Sequence, residues 1–192
     1  MKDALAGWTR YLGDEAAKTA TNKGASRGTA IHLALEQWIK REELTPLGDN
    51  RLYQTLFSQA ARAIQKHVLS FMAAELQVKS SMGFAGTADA VGYVKYGESS
   101  RIFRSVIDFK NYGRAKDRAD MTQAFFQTAL YSFALEETAG LITDSALIIA
   151  TNESGEEAQV FFVPPEEFKL IKIMAQAEAL KVIKEIRDAA IS

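Results

Sequence analysis

The sequence of 192 residues contains no cysteine and only three prolines. Without cysteine the chain has no disulfides, thiolate zinc sites, cysteine nucleophiles or iron–sulfur clusters, and it suits a reducing compartment. No apolar run approaches the roughly 20 residues that a membrane-spanning helix needs, and residues 1–4 do not begin a signal peptide. We therefore expect a cytoplasmic protein that is not secreted and makes no contact with a membrane.

Excess charge is lacking as well, because 23 lysines and arginines balance 24 aspartates and glutamates to leave a net charge of −1. A chain with this balance does not coat nucleic acid by charge alone. Contact with nucleic acid would have to be local, in a basic groove beside an acidic site. The length and the hydrophobic fraction of 47% predict one globular domain over residues 1–192.

The first 70 residues show the apolar spacing of helices. This spacing predicts helices over residues 3–20, from residue 29 onward and over residues 50–70. Residues 24–28 are polar and carry a glycine at each end, which predicts a loop between the first two helices.

The period of the apolar residues then changes to two. Alternation predicts strands over residues 75–78, 83–94, 101–109, 146–150 and 159–163, with a hairpin loop at 96–100. A helix is predicted over 121–139, with Asp120 as N-cap, Gln123 as its capping-box partner and Gly140 past its end. A last helix is predicted over 166–190. This order of elements predicts an α/β fold in which a mixed central β-sheet is flanked by helices.

Asp108 and Lys110 stand near the end of the third predicted strand. Side chains alternate along a strand, so this carboxylate and this ammonium point to the same face. Such a pair is half of a metal-hydrolysis site, because the carboxylate holds a hard divalent cation while the amine orients water or stabilises a phosphate. Alone, the pair is equally typical of a salt bridge on a solvated face.

Asp89 lies on the preceding strand, where a short hairpin brings it beside Asp108. Two close carboxylates repel unless a cation lies between them, and Mg²⁺ or Mn²⁺ is the common solution. Gly83 and Gly86 precede Asp89 and allow a ligand to approach the backbone closely. An aspartate that bonds to the hairpin backbone is the alternative.

Further candidate ligands and supports occur on the helices and on the first strand. His32 and Glu36 are four residues apart and share one helix face, which makes a reasonable half-site for a metal. Gln127 and Tyr131 repeat this spacing on a later helix, where an amide and a hydroxyl can hold a phosphate. Glu75 offers one more oxygen ligand. Helix packing and solvation at the sheet edge explain the same residues without a site.

The segment after the third strand is basic. Cations are interleaved with an aromatic ring, in the order Lys110, Tyr112, Arg114, Lys116 and Arg118. Cations for phosphates and a ring for base stacking are typical of grooves that bind single-stranded nucleic acid. Asp117 and Asp120 dilute this charge, so a solvated loop is the alternative. A second basic cluster precedes His32 and consists of Lys18, Lys23 and Arg27.

The order of these motifs resembles that of the PD-(D/E)XK nuclease superfamily, and of its histidine-containing RecB-like branch in particular. The matching segments are Gly28-Thr29-Ala30-Ile31-His32 with Glu36, Gly86-Thr87-Ala88-Asp89, Ile107-Asp108-Phe109-Lys110, and Gln127 with Tyr131. Trp8 with residues 12–16 and 26–32 resembles more closely the mitochondrial genome maintenance exonuclease family and its phage-encoded relatives. The resemblance covers most of the chain.

This resemblance implies a restriction-endonuclease-like core and a metal-dependent nuclease of a bacterial or phage-infected cell. The implied ligands of Mg²⁺ or Mn²⁺ are His32, Asp89 and Asp108, with Glu36 at the acidic position that follows the family histidine. Lys110 is the implied partner of the attacking water. The implied supports of site and substrate are Gln127 and Tyr131.

We therefore expect a metal-dependent DNA exonuclease that acts on single-stranded DNA with a free end. One alternative is a structure-specific or restriction-like endonuclease on the same fold. Another is a non-catalytic module that binds DNA ends in recombination. The intact set of Asp89, Asp108 and Lys110 disfavours the latter, since a degenerate nuclease is expected to lose at least one of the three.

Overall fold

The structure, a computed structural model, describes residues 14–44, 46–98 and 100–191, with side chains from residue 27 to residue 189. Its elements are α1 (Asp14–Lys40), α2 (Arg51–His67), β1 (Val68–Lys79), β2 (Ala85–Lys95), β3 (Ile102–Tyr112), a 3₁₀ turn (Arg118–Met121), α3 (Thr122–Ala139), β4 (Ser145–Asn152), β5 (Gln159–Val163) and α4 (Pro165–Ile191). Among the described residues, no helix combines the length and the apolar character that crossing a bilayer requires.

The five strands form one mixed sheet in the order β1-β2-β3-β4-β5. Strands β3 and β4 are parallel, whereas the other neighbouring pairs are antiparallel. Parallel neighbours need a crossover connection, and α3 supplies it between β3 and β4. The expected mixed sheet flanked by helices is therefore confirmed.

Helices cover both faces of this sheet. On one face, α1 and α2 pack through a core that contains Ile31, Leu35, Leu56 and Ile107. On the other face, α3 and α4 pack through a core that contains Phe125, Phe168 and Ile148. Burial of each such side chain contributes about 1.5–3 kcal/mol. The sheet is thus held between two apolar layers, which leaves the ends of its strands for polar side chains.

Helix α1 differs from the prediction. Residues 24–28 were expected to form a loop, but they lie inside the continuous helix Asp14–Lys40. Gly24 and Gly28 each cost a helix about 1 kcal/mol, and burial of Ile31, Ala34 and Leu35 offsets this cost. Residues 3–13 of the predicted first helix lie outside the described residues.

The junction of α2 and β1 also differs from the prediction. Helix α2 was expected to reach residue 70 and the strand to begin at residue 75, but the helix ends at His67 and β1 starts at Val68. Val68 pairs with Val94 of β2, so sheet pairing overrides the helical pattern at this point. Strand β1 therefore has twelve residues and forms one edge of the sheet.

Helix α3 begins in a different way from the prediction. Asp120 was expected to be its N-cap, but Asp120 lies in the preceding 3₁₀ turn, where its carboxylate accepts the Asp117 N–H at 3.4 Å. The helix proper starts at Thr122 and ends at Ala139. Gly140 follows it with a φ of +61°, as the sequence predicts for a glycine past a helix end.

Candidate metal centre and active site

Strands β2 and β3 separate at the point where Asp89 and Asp108 lie. Their ladder runs from the pair Lys95–Ile102 to the pair Ala90–Ile107. Beyond it, the Phe109 N–H donates to Asp89 Oδ2 at 2.7 Å. The Asp89 carboxylate thus accepts the hydrogen bond that a backbone carbonyl of β2 would accept in a regular sheet. It lies in the opening between the two strands.

His32, Glu75 and Asp89 converge from α1, β1 and β2. One ligand atom from each residue lies within 4.8 Å of the other two, and His32 Nδ1 is 3.5 Å from Asp89 Oδ1. Burial lowers the pKa of His32, but its contact with Asp89 outweighs burial and leaves the pKa raised. Imidazole and carboxylate groups are the metal ligands that proteins use for divalent ions.

Glu75 joins this cluster through an unusual backbone conformation. Its φ is +52°, which lies in the left-handed region that non-glycine residues rarely adopt. It stands in β1 between Ala74 and Leu76, which pair with Ala90 and Ala88. Strain of this kind costs on the order of 1–3 kcal/mol and is concentrated at functional sites. Burial, with the nearby charge of Asp89, raises the pKa of the Glu75 carboxyl.

Asp108 is buried against Lys110, with only 2% of its surface exposed. Lys110 Nζ lies 2.8 Å from Oδ1 and 2.7 Å from Oδ2. Only the first contact has the direction of a hydrogen bond, so no described residue donates one to Oδ2. Burial raises the pKa of Asp108 to about 6, although the charge of Lys110 opposes this. Oδ2 therefore has an ion-pair contact but no hydrogen bond, and a buried carboxylate oxygen of this kind can still accept a cation.

A chain of hydrogen bonds from α3 holds Lys110. Its Nζ donates to Gln127 Oε1 at 2.9 Å, and Gln127 Nε2 donates to the Tyr131 hydroxyl at 2.8 Å. Burial lowers the pKa of Lys110, but Asp108 outweighs burial and leaves the pKa raised. The structure therefore brings Gln127 into contact with the ammonium, and Tyr131 is linked to it through Gln127.

Gly86 makes room for Tyr131. A Cβ atom at this position would lie 2.8 Å from Tyr131 Cε1 and 2.9 Å from its hydroxyl oxygen. The open side of Gly86 was expected to face a ligand, but it faces this tyrosine. Gly83 has a φ of +93° and open space around it, so it serves the turn between β1 and β2.

Glu36 lies at the rim of the same site. It lines a depression of about 470 Å³ together with His32, Glu75 and Asp89. Its carboxylate is 2.5 Å from Lys40 Nζ, one helical turn away. The structure thus places Glu36 beside the three converging residues and pairs it with a lysine.

The expected substrate residues Tyr112, Arg114 and Lys116 lie at the end of β3 and in the loop that follows it. Lys116 Nζ lies 5.1 Å from the centre of the Tyr112 ring, and burial raises the pKa of the Tyr112 hydroxyl. Gln159 holds the Lys116 backbone, because its side chain accepts the N–H at 2.7 Å and donates to the carbonyl at 2.9 Å. Arg114 is exposed on the same loop.

Two other arginines of the predicted basic clusters are already paired. Arg27 forms an ion pair with Glu153 on the loop between β4 and β5. Arg118 donates to both carboxylate oxygens of Glu167 at 2.7 Å. Arg118 therefore links the 3₁₀ turn to α4. The side chains of Lys18 and Lys23 lie outside the described residues.

Three residues that shape this region were missed by the sequence reasoning, namely Gln59, Glu153 and Gln159. Gln59 is 1% exposed and binds the backbone of Asn152 and Gly155. An amide among the apolar residues of α2 is a signal that could have identified it. Glu153 and Gln159 stand in polar segments, where nothing in the sequence separates them from solvated residues.

Comparison with known proteins finds similarity among solved structures. No protein-family model matches this chain, and no curated protein matches it. Among solved structures, the chain is similar to the crystal structure of a candidate exonuclease from Eubacterium rectale, with a TM-score of 0.53 and 11% sequence identity. The match covers 84% of this chain and 68% of the other. At this identity the likeness establishes a shared α/β fold.

Proposed function

We propose that this protein is a divalent-metal-dependent nuclease, an exonuclease that acts on single-stranded DNA with a free end. The observation that carries the proposal is the convergence of His32, Glu75 and Asp89 next to the buried pair of Asp108 and Lys110. The shared fold with a candidate exonuclease supports it, as do the four ordered motifs of the sequence.

The residues fit Mg²⁺ or Mn²⁺. Glu75, Asp89 and Asp108 offer the oxygen ligands that these ions prefer, and His32 adds one nitrogen. The buried Oδ2 of Asp108 accepts no hydrogen bond from a described residue, which leaves it available to a cation. A metal held by His32, Glu75 and Asp89, with Asp108 beside them, would lower the pKa of a bound water and neutralise charge on the phosphate.

Lys110 is the protein's own hydrogen-bond donor in this site. Its pKa is raised by Asp108, so it is an ammonium at neutral pH and acts as a hydrogen-bond donor. Asp108 and Gln127 restrict its direction, which lets it orient the attacking water or bind a phosphate oxygen as charge develops there. Tyr131 in turn holds Gln127 by accepting a hydrogen bond from its amide. The site therefore has a fixed donor next to its metal ligands.

The substrate would lie along the loop after β3. Tyr112 offers a ring and Lys116 a cation that its backbone contacts with Gln159 hold in position. Arg114 adds a second, exposed cation. Stacking and phosphate contacts of this kind bind single strands without base specificity.

One cleavage assay tests the proposal. The protein is incubated with end-labelled linear single-stranded DNA, circular single-stranded DNA and duplex DNA, each with Mg²⁺, Mn²⁺ or EDTA. We expect metal-dependent loss of linear single strands and intact circles. Nicked circles would identify an endonuclease, and a lack of cleavage with either metal would contradict the nuclease proposal.

Variants connect the activity to the site. Asp108→Asn and Lys110→Ala should lower cleavage by at least about 100-fold, since each removes a group that acts on the transition state. Binding of single-stranded DNA in EDTA and the circular dichroism spectrum should be retained. Glu98→Gln, an exposed change in the hairpin loop, is the matched control and should cleave normally. Unfolding of both site variants would instead indicate that the pair is structural.

A further inference from the structure

A second and larger cleft lies outside the candidate metal centre. It has a volume of about 720 Å³ and lies between the C-terminal end of α2, the end of β2 and the loop between β4 and β5. Its polar lining includes Arg62, Lys66, His67, Lys95 and Glu157. Ligand sites in proteins have volumes of roughly 300–1,000 Å³, so the cleft has the size of a binding site.

Both walls of the cleft are tied to α2. On one side, His67 hydrogen-bonds to the backbone of Lys95, and its ring lies 5.3 Å from the Tyr96 ring. On the other side, Arg62 donates to the carbonyl of Glu156 at 2.6 Å. These contacts form the cleft before any ligand arrives, which reduces the ordering cost of binding.

The lining of the cleft is basic in a protein whose net charge is −1. Arg62, Lys66 and Lys95 line it against one carboxylate, that of Glu157. Within the described part of the chain, no carboxylate forms an ion pair with any of these three cations. Like charges held around one concavity repel each other, and a bound polyanion relieves this repulsion.

The register of the sheet relates the cleft to the candidate active site. Phe109, between Asp108 and Lys110, pairs with Ile149 of β4, and Ile149 pairs with Val160 of β5. Val160 lines the cleft. Two strand spacings amount to about 10 Å along the sheet. The cleft lies on the face of α2, whereas Lys110 points to α3 on the other face. Lys95 is six residues along β2 from Asp89, about 20 Å, so a strand that is bound at the candidate site needs to extend by several nucleotides to reach the cleft.

We propose that this cleft binds phosphate groups of a nucleic-acid strand outside the bond that is cleaved. Arg62, Lys66 and Lys95 are the phosphate contacts, and Glu157 weakens binding by repulsion. The inference rests on the proposed nuclease function, to which it adds a second point of attachment. Long strands, which reach both sites, are therefore bound more tightly than short ones.

Binding and cleavage are measured separately to test this inference. Fluorescence anisotropy in EDTA reports the affinity for a labelled oligothymidylate of about 20 nucleotides, and cleavage of a tetranucleotide with Mn²⁺ reports the active site. The test variants are Lys66→Glu with Lys95→Glu, and Glu157→Gln. The matched control is Lys169→Glu with Lys181→Glu, an equal charge change at exposed positions of α4 on the other face of the sheet.

The three variants have different expected results. Reversal of Lys66 and Lys95 should weaken binding of the long strand at least about ten-fold and reduce the slope of log affinity against log salt by roughly 1.4, as for two lost phosphate contacts. Glu157→Gln should strengthen binding. The control should retain most of the affinity, and all variants should cleave the tetranucleotide at the wild-type rate.

These measurements distinguish failure of the cleft assignment from failure of the nuclease proposal. If the wild type cleaves but reversal of Lys66 and Lys95 weakens binding no more than the control does, the cleft assignment is overturned and the nuclease stands. Suppose instead that the wild type does not cleave, and that reversal of Lys66 and Lys95 weakens binding of the long strand whereas the control does not. In that case the cleft assignment stands and the nuclease proposal fails. Absence of binding by the wild type overturns the assignment.

Discussion

Tyr131 occupies the space that the missing side chain of Gly86 leaves open. Through this contact its hydroxyl reaches Gln127, and Gln127 in turn reaches Lys110. A residue without a side chain on β2 thus helps to determine where an ammonium on β3 points. No polar group of Gly86 is involved, so the effect depends on shape alone.

Gly86→Ala is expected to displace Tyr131 and to loosen Lys110. The added methyl group would overlap the tyrosine ring, which costs about 1–3 kcal/mol of stability. Cleavage should fall at least about ten-fold, because misplacement of an orienting group by about 1 Å has effects of this size or larger. Urea denaturation and the rate constant of cleavage measure the two effects.

The control for this substitution is Gly113→Ala, at which a Cβ atom would have only Glu153 Oε1 at 4.0 Å as its nearest neighbour. This variant should keep the stability of the wild type. If Gly86→Ala also retained full stability and full cleavage, the proposed role of the space above Gly86 would be wrong.

His67 gives the stability a defined dependence on pH. Burial, followed by the charge of Lys66, holds the pKa of its imidazole below the usual value of 6.5. Above pH 6.5 the ring is neutral in both the folded and the unfolded chain, and its contribution is fully present. As the pH falls below 6.5, the unfolded chain takes up the proton first, so the contribution is lost down to the pKa of the folded state.

His67→Gln should therefore flatten the acid side of the stability curve. Urea denaturation at pH 8, 6.5 and 5 would show that the wild type loses more free energy of unfolding than the variant between the first and last values. Parallel curves for the two proteins would contradict the lowered pKa. His32→Gln is a poor control, because that histidine contacts Asp89.

At the scale of elements, the loop between β4 and β5 depends on one buried amide of α2. Gln59 accepts the Asn152 N–H at 3.1 Å and donates to the carbonyls of Asn152 and Gly155 at 3.0 and 2.7 Å. Glu153, which pairs with Arg27, lies within the segment that these bonds hold. The helix therefore positions a loop that contacts both the candidate active site and the basic cleft.

Gln59→Leu is expected to lower the free energy of unfolding by about 2–4 kcal/mol. The substitution keeps the apolar contacts but leaves buried backbone groups without partners, and each such group costs about 1–3 kcal/mol. Gln65→Leu is the matched control, since Gln65 is exposed on the same helix. Thermal unfolding of the two variants measures the difference, and equal midpoints would contradict the role of Gln59.

Elements with strong local signals could be predicted from the sequence. The hairpin of β2 and β3 and the helix after it follow from alternation, a polar turn and Gly140, because these signals act over a few residues. The boundary at Val68 could not be predicted in this way, since pairing with the distant Val94 decides it. The continuous helix through Gly24 and Gly28 depends on tertiary packing in the same manner.

The candidate site was predictable to the extent that its geometry is local. Asp108 and Lys110 share a face because strands alternate, and a short hairpin places Asp89 next to them. The ion pair of Arg27 with Glu153 joins residues 126 positions apart, and no local pattern anticipates such a pair. The positive φ of Glu75 is likewise invisible in a sequence that reads as an ordinary strand.

At the scale of the whole molecule, the proposed metal site predicts that stability depends on metal. Asp89 lies close to Glu75 and acts on the charge of Asp108, and a bound cation would relieve the repulsion among these carboxylates. At about 100 times the dissociation constant, free Mn²⁺ should stabilise the fold by about 2.7 kcal/mol. For a chain of this size, that gain raises Tm by roughly 5–10 °C.

Calorimetry with Mn²⁺ and with EDTA measures this shift. Asp89→Asn should lose most of it, since the variant lacks one ligand, whereas the exposed change Asp49→Asn should retain it. A shift of equal size in both variants would show that the ion binds elsewhere.

The backbone of Glu75 has a consequence for the evolution of chains that share this fold. Where metal binding is no longer under selection, nothing favours a carboxylate at a position with a positive φ, and glycine or asparagine fits that conformation with less strain. Substitutions at this position would therefore favour glycine or asparagine over other residues. If Glu75 binds a metal as proposed, glycine at this position in a relative would be expected where that metal site is lost, together with a gain in stability.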